Sequence, residues 1–102
     1  MKIILKVQSS GNNNWRLGLN TKDSVEHFTH GENVKFILSS ELIIYCNVAC
    51  GTSKKKAFDF NKIELSKWIV CNEYHIYPLL SPTELNFELT IQNNAKCLTL
   101  LY

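Results

Sequence analysis

No segment of this chain approaches the ~20 consecutive apolar residues of a membrane span, and the first apolar run, Ile3-Ile4-Leu5, is far shorter than the core of a signal peptide. The expectation is a cytoplasmic protein with no membrane attachment. Cysteine is sparse and scattered: Cys46, Cys50, Cys71 and Cys97 lie in apolar patterns instead of a dense framework, which fits reduced, buried thiols and argues against disulfides. Net charge is also small, a formal +2 from 11 Lys and Arg against 9 Asp and Glu, so total charge does not announce a nucleic-acid binder. There is no repeat, linker or low-complexity tail.

A chain of 102 residues with 45% apolar side chains is enough for one core without metal or disulfide staples, so residues 1–102 are expected to form a single domain. The charges are unevenly placed. Lys2, Lys6, Arg16 and Lys22 are the only charged residues up to position 22, whereas Asp59, Glu64, Glu73, Glu84 and Glu88 outnumber Lys62 and Lys67 between 59 and 88.

Alternation predicts strands at Lys2 to Gln8, with Ile3, Leu5 and Val7 inward, and at Glu32 to Leu38, with Val34, Phe36 and Leu38 inward. Leu42 to Ala49 reads as a long strand with few positions suited to water on either face. Ala57 to Phe60 is a short strand. Leu85, Phe87, Leu89 and Ile91 alternate with polar neighbours, and Asn93-Asn94 turns the chain into a last strand from Cys97 to Tyr102. Thr21 is placed to cap a short helix with Val25 and Phe28 on one face and Gly31 closing it. Asn61 and Glu64 have capping-box spacing for a second helix reaching about Asn72, with Leu65, Trp68 and Ile69 on its buried face.

Two polar stretches interrupt this pattern. Ser9-Ser10-Gly11-Asn12-Asn13-Asn14-Trp15-Arg16 separates two strand-like runs and reads as a hairpin with a protruding tip. Gly51-Thr52-Ser53-Lys54-Lys55-Lys56 carries three consecutive positive charges between two further strands. Asparagine pairs bidentately with adenine and arginine with guanine, lysine neutralises phosphates, and Ser or Thr bonds to either. Taken singly, turn chemistry is a sufficient explanation of the first stretch, and a solvated surface is the commoner account of the second. Trp15 stands either at the base of the first tip or in the hairpin packing.

The order of elements resembles the plant B-three DNA-binding domain and the related effector domains of some bacterial restriction endonucleases. Leu5-Lys6-Val7-Gln8-Ser9-Ser10 resembles that family's first strand entering a polar arm. Arg16-Leu17-Gly18-Leu19-Asn20 followed by Val25-Glu26-His27-Phe28 resembles its second strand and small helix, with Asn20 where the family has proline. Ser66-Lys67-Trp68-Ile69 resembles the second helix. The family's Gly-Asp pair before the last strands is missing. The resemblance implies a mainly β fold with two short helices, an open seven-stranded pseudobarrel. It also implies two arms gripping the major groove of double-stranded DNA. By position, the arms are Ser9 to Arg16 and Cys50 to Lys56. The expected contacts are Ser9, Ser10, Asn12, Asn13, Asn14, Trp15, Arg16 and Lys22, with Thr52, Ser53, Lys54, Lys55 and Lys56 in the second arm. This requires both arms to emerge on one side of the barrel.

Metal and catalytic readings are weaker, and neither a metal, a cofactor nor an enzymatic activity is expected. His27 and His30 stand one helical turn apart, but Cys46 and Cys50 would be roughly 13 Å apart on an extended strand, too far for a shared zinc. Glu64 and Lys67 lie in a helix, and Asp59 with them lacks the spacing of a nuclease centre. Cys71 and His75 have i, i+4 spacing but no third orienting group, so a buried thiol and a helix-end histidine are expected. The rival to DNA binding is a β-rich protein-interaction or inhibitor module docking through strand edges and tyrosines. A fused nuclease or other protein partner is compatible with either.

Overall fold

The computed structural model describes residues 1–50 and 57–102. Its strands are β1 (Lys2–Gly11), β2 (Asn14–Gly18), β3 (Asn33–Ile37), β4 (Ile43–Cys50), β5 (Phe58–Phe60), β6 (Glu84–Gln92) and β7 (Ala95–Leu100). The helices are α1 (Thr21–His27) and α2 (Ile63–Cys71). The strands close into a ring in the order β1-β2-β5-β4-β3-β7-β6. Every pairing is antiparallel except β3 with β7. The protein is thus mainly β with two short helices, as expected, but the expected opening is not seen. The shortest seam, β2 with β5, holds only the registers Leu17↔Phe60 and Gly18↔Asp59, and it completes the ring.

Inward positions follow the two-residue period of the strands. Ile3, Leu5, Val7, Val34, Phe36 and Leu38 are buried, as their alternation predicts. An aromatic chain runs through the interior from Phe28 to Phe60, Phe36 and Phe87, with edge-to-face contacts and centroid distances of 5.6, 4.8 and 5.7 Å. Such pairs add roughly 0.5–1.5 kcal/mol each beyond the area they bury.

Three strand expectations are corrected. On β4, Ile44, Cys46 and Val48 point inward, but Ile43 and Tyr45 are exposed, because their side chains alternate to the outer face of the barrel. On β6, Leu85 and Phe87 are buried and Leu89 is partly so, whereas Ile91 is 69% exposed where the β6–β7 hairpin leaves the core. The third concerns Ser9 to Arg16, which form paired strand up to a two-residue turn instead of a protruding loop.

The helix caps also differ from expectation by one residue each. Asn20, not Thr21, caps α1: its side chain accepts from the Asp23 amide at 2.7 Å, and Phe28 ends the helix before Gly31. The side chain of Val25 lies outside the described residues. In α2 the cap position is Lys62, with no capping hydrogen bond from its side chain, so the Asn61–Glu64 box does not form. Lys62 Nζ instead donates to the Tyr45 carbonyl. Leu65 and Ile69 are fully buried and Trp68 packs against the core from its margin.

A buried serine ties each helix to the wall. Ser24 Oγ in α1 accepts from the Phe58 amide at 2.9 Å and donates to the Asn20 carbonyl. Ser66 Oγ in α2 accepts from the Trp15 amide at 2.9 Å. α1 therefore sits where β5 begins, and α2 sits where β2 begins, at opposite ends of the barrel.

Candidate nucleic-acid interface

The first hairpin turns on Asn12 and Asn13, whose φ angles of 51° and 61° are the positive pair that a type I′ connection needs. Asn93 and Asn94 repeat this at 52° and 64° in the β6–β7 hairpin. Asparagine tolerates this left-handed backbone, so turn geometry accounts for these residue types in both hairpins. Asn12 and Asn13 are nonetheless exposed and free of side-chain bonds within the described residues. Ser9 is exposed too, and its hydroxyl accepts from the Gly11 amide at 3.3 Å beside a bulge between Ser9 and Gly11. Ser10 is half-buried. Asn14, also half-buried, joins Asn13 at a recess of about 400 Å³ against Ile63, Lys67 and Val70 of α2.

Trp15 is directed toward the protein. Its ring packs against the core and stands 5.5 Å from His75 and 6.2 Å from Tyr77, in the connection after α2. Arg16 faces outward but is engaged. Its Nε lies 3.4 Å from Gln8 Oε1, directly across the β1–β2 pair, and 3.8 Å from Asp59 Oδ2. Asp59 is buried on β5; burial pushes its carboxyl above the usual value and the Arg16 guanidinium opposes that in smaller measure. Gln8 and Asp59 are thus parts of this surface that sequence reading missed, although Gln8 stands on the polar face of the β1 alternation.

Lys22 is exposed on α1, at the far end of the barrel from the Asn12–Asn13 turn. Thr52, Ser53, Lys54, Lys55 and Lys56 lie outside the described residues. The chain enters that segment from Cys50 and leaves it for Phe58, which are register partners, and the Leu19 amide donates to the Phe58 carbonyl. The ends of the segment therefore stand beside the end of β2, while the first turn stands at its beginning. Five residue steps, about 17 Å at ~3.3 Å each, separate the two. The arms were expected to emerge on one side. The first turn and the residues flanking the second segment are neighbours around the ring, on the wall β1-β2-β5-β4, but they stand at opposite ends of it because β5 runs antiparallel to β2.

The remaining candidates do not assemble. Among the described residues no three His, Cys, Asp or Glu side chains gather as a metal site. Cys46, Cys71 and Cys97 are free thiols; Cys71 is exposed, contrary to expectation, because its side of α2 faces solvent. Burial pushes the Cys46 thiol up to about 11, so it is protonated and inert at neutral pH. His75 Nδ1 is buried without a hydrogen-bond partner among the described residues. Glu64 and Lys67 are exposed on α2. No helix among the described residues is long and apolar enough to cross a membrane.

Set against protein-family models, curated proteins and solved structures, the chain matches none of them.

Proposed function

We propose that this domain is a non-catalytic, sequence-reading binder of double-stranded DNA, acting in the cytoplasm as a recognition or effector module of the B-three-like kind, with a restriction nuclease as a candidate partner. The observation that carries this reading is the shared wall. The exposed Asn12–Asn13 turn and the two ends of the lysine-bearing segment flank the same four strands, with Arg16 and Gln8 facing outward between them. The first turn and the flanks of the lysine-bearing segment stand about 17 Å apart along β2, wider than the ~12 Å major groove itself, so contact by both arms requires that segment to reach back over the wall. In this arrangement Asn12, Asn13, Asn14 and Arg16 approach base edges, and Lys54, Lys55 and Lys56 neutralise phosphates. The β2–β5 seam is the place where the ring would part to give the open barrel that the resemblance implies.

Selection from random duplexes with the whole domain tests this reading. Binding is expected to weaken steeply with salt, and replacing Lys54, Lys55 and Lys56 by serine should lower the slope by about 0.9 for each phosphate no longer neutralised. No duplex binding at low salt would end the proposal.

A protein-interaction role is favoured instead by the connection after α2, where Leu79 and Leu80 are each 91% exposed and Ile76 is 66% exposed. Docking by strand edges is disfavoured, since every strand among the described residues has two neighbours in the ring.

A further inference from the structure

The outer face of β3 and β4, which adjoins the arm wall through β4, carries a second surface of different chemistry. Two recesses open on it, of about 670 and about 260 Å³, and Tyr45 and Asn33 line both. Tyr45 is 52% exposed. Lys35 stands directly across from it in the β3–β4 register, and Lys62 reaches in from the β5 side to donate to its carbonyl. Neither lysine has a carboxylate within 4.0 Å among the described residues, and no Asp or Glu lines either recess. Asn33 and Asn47 face one another across the pair, and both line the larger recess. The arm wall differs, since there the cation Arg16 already has Asp59 beside it.

An exposed aromatic ring between two uncompensated cations, framed by side-chain amides, matches the chemistry of an unpaired base with its flanking phosphates. A duplex buries its base faces in the stack, so this platform selects single strands. We propose that the Tyr45 face binds single-stranded nucleic acid: a base stacks on Tyr45, Lys35 and Lys62 meet the phosphates, and Asn33 and Asn47 hydrogen-bond to the base edge or sugar. The site shares β4 with the arm wall but uses none of the residues assigned to the duplex arms, and it does not depend on them.

The test is titration of the whole domain at low salt with fluorescent oligothymidylate and, in parallel, oligouridylate. Binding of either strand is expected, and the stronger one identifies the preferred sugar. Tyr45→Ala should weaken it about tenfold or more while Tyr45→Phe, which keeps the ring, should bind as the parent does. Lys35→Gln and Lys62→Gln should each lower the salt slope by about 0.7. Tyr45 is solvent-facing, so thermal melting of Tyr45→Ala is expected to match the parent and to show that the loss is one of binding. Absence of binding to both strands, or equal binding by Tyr45→Ala and the parent, would overturn the proposal. So would loss of single-strand binding on replacing Lys54, Lys55 and Lys56 while Tyr45→Ala binds normally, because the strand would then lie on the arms.

Discussion

The Gln8 side chain reaches diagonally over Gly18 on the outer wall: a Cβ placed at Gly18 would stand 2.4 Å from Gln8 Oε1 and 2.8 Å from its Cδ. The glycine leaves room for the amide that also meets Arg16. Because the obstructing atoms end a flexible side chain, Gly18→Ala should fold, with Gln8 turned aside and its hydrogen bond to Arg16 broken. The expected cost is about 1 kcal/mol, from one off-rotamer side chain and one exchanged hydrogen bond. Urea unfolding of Gly18→Ala in the parent and in a Gln8→Ala background measures it. Equal costs in both backgrounds would show that Gln8 is not the obstacle.

The first turn separates fold from recognition. Asn13→Gly suits the positive φ of 61° and should leave stability unchanged or slightly higher, whereas Asn13→Val should cost roughly 1–2 kcal/mol. If Asn13 also reads bases, Asn13→Gly broadens the set of selected duplexes without loosening the fold. An unchanged selection profile would return this residue to turn geometry alone.

The two buried serines should be sensitive in the same way. Ser24→Ala strands the Phe58 amide and Ser66→Ala strands the Trp15 amide, each in a site that water does not readily enter. An unpaired buried donor costs about 1–3 kcal/mol. Denaturant midpoints should fall for both. A shift within error of zero for either variant would mean that its amide finds another acceptor.

Asp59 gives the stability a pH dependence of known sign. Burial raises its folded pKa above the ordinary 3.8, and Arg16 only partly offsets this. A raised folded pKa makes the contribution of this group fully present below the unfolded value and lost as pH rises through the folded one. Asp59→Asn removes that loss. Compared at matched pH, the variant should therefore gain on the parent as pH climbs above 3.8. Parallel stability curves from acid to neutral pH would refute this account.

Much of this fold is local in origin and therefore legible. The alternations of Ile3, Leu5 and Val7 and of Val34, Phe36 and Leu38 needed only the strand period to assign the core. The Asn93–Asn94 turn needed only the tolerance of asparagine for positive φ. Contacts between distant residues overrode other local signals. The α2 cap moved to Lys62, whose side chain is taken by the Tyr45 carbonyl, 17 residues earlier. Ile91 kept its place in the alternation but not its burial, because the hairpin extends past the last layer of the core.

The sequence by itself determined that the chain is a β-rich domain with two short helices, which strand faces form the core, and where tight turns fall. These follow from side-chain period and backbone tolerance, which act over a few residues. Tertiary structure alone decided that the strands close into a ring, that Arg16 is shared between Gln8 and Asp59, and that Tyr45 is left open between Lys35 and Lys62. Each of these depends on which strand lies beside which, a choice made by packing the whole barrel at once.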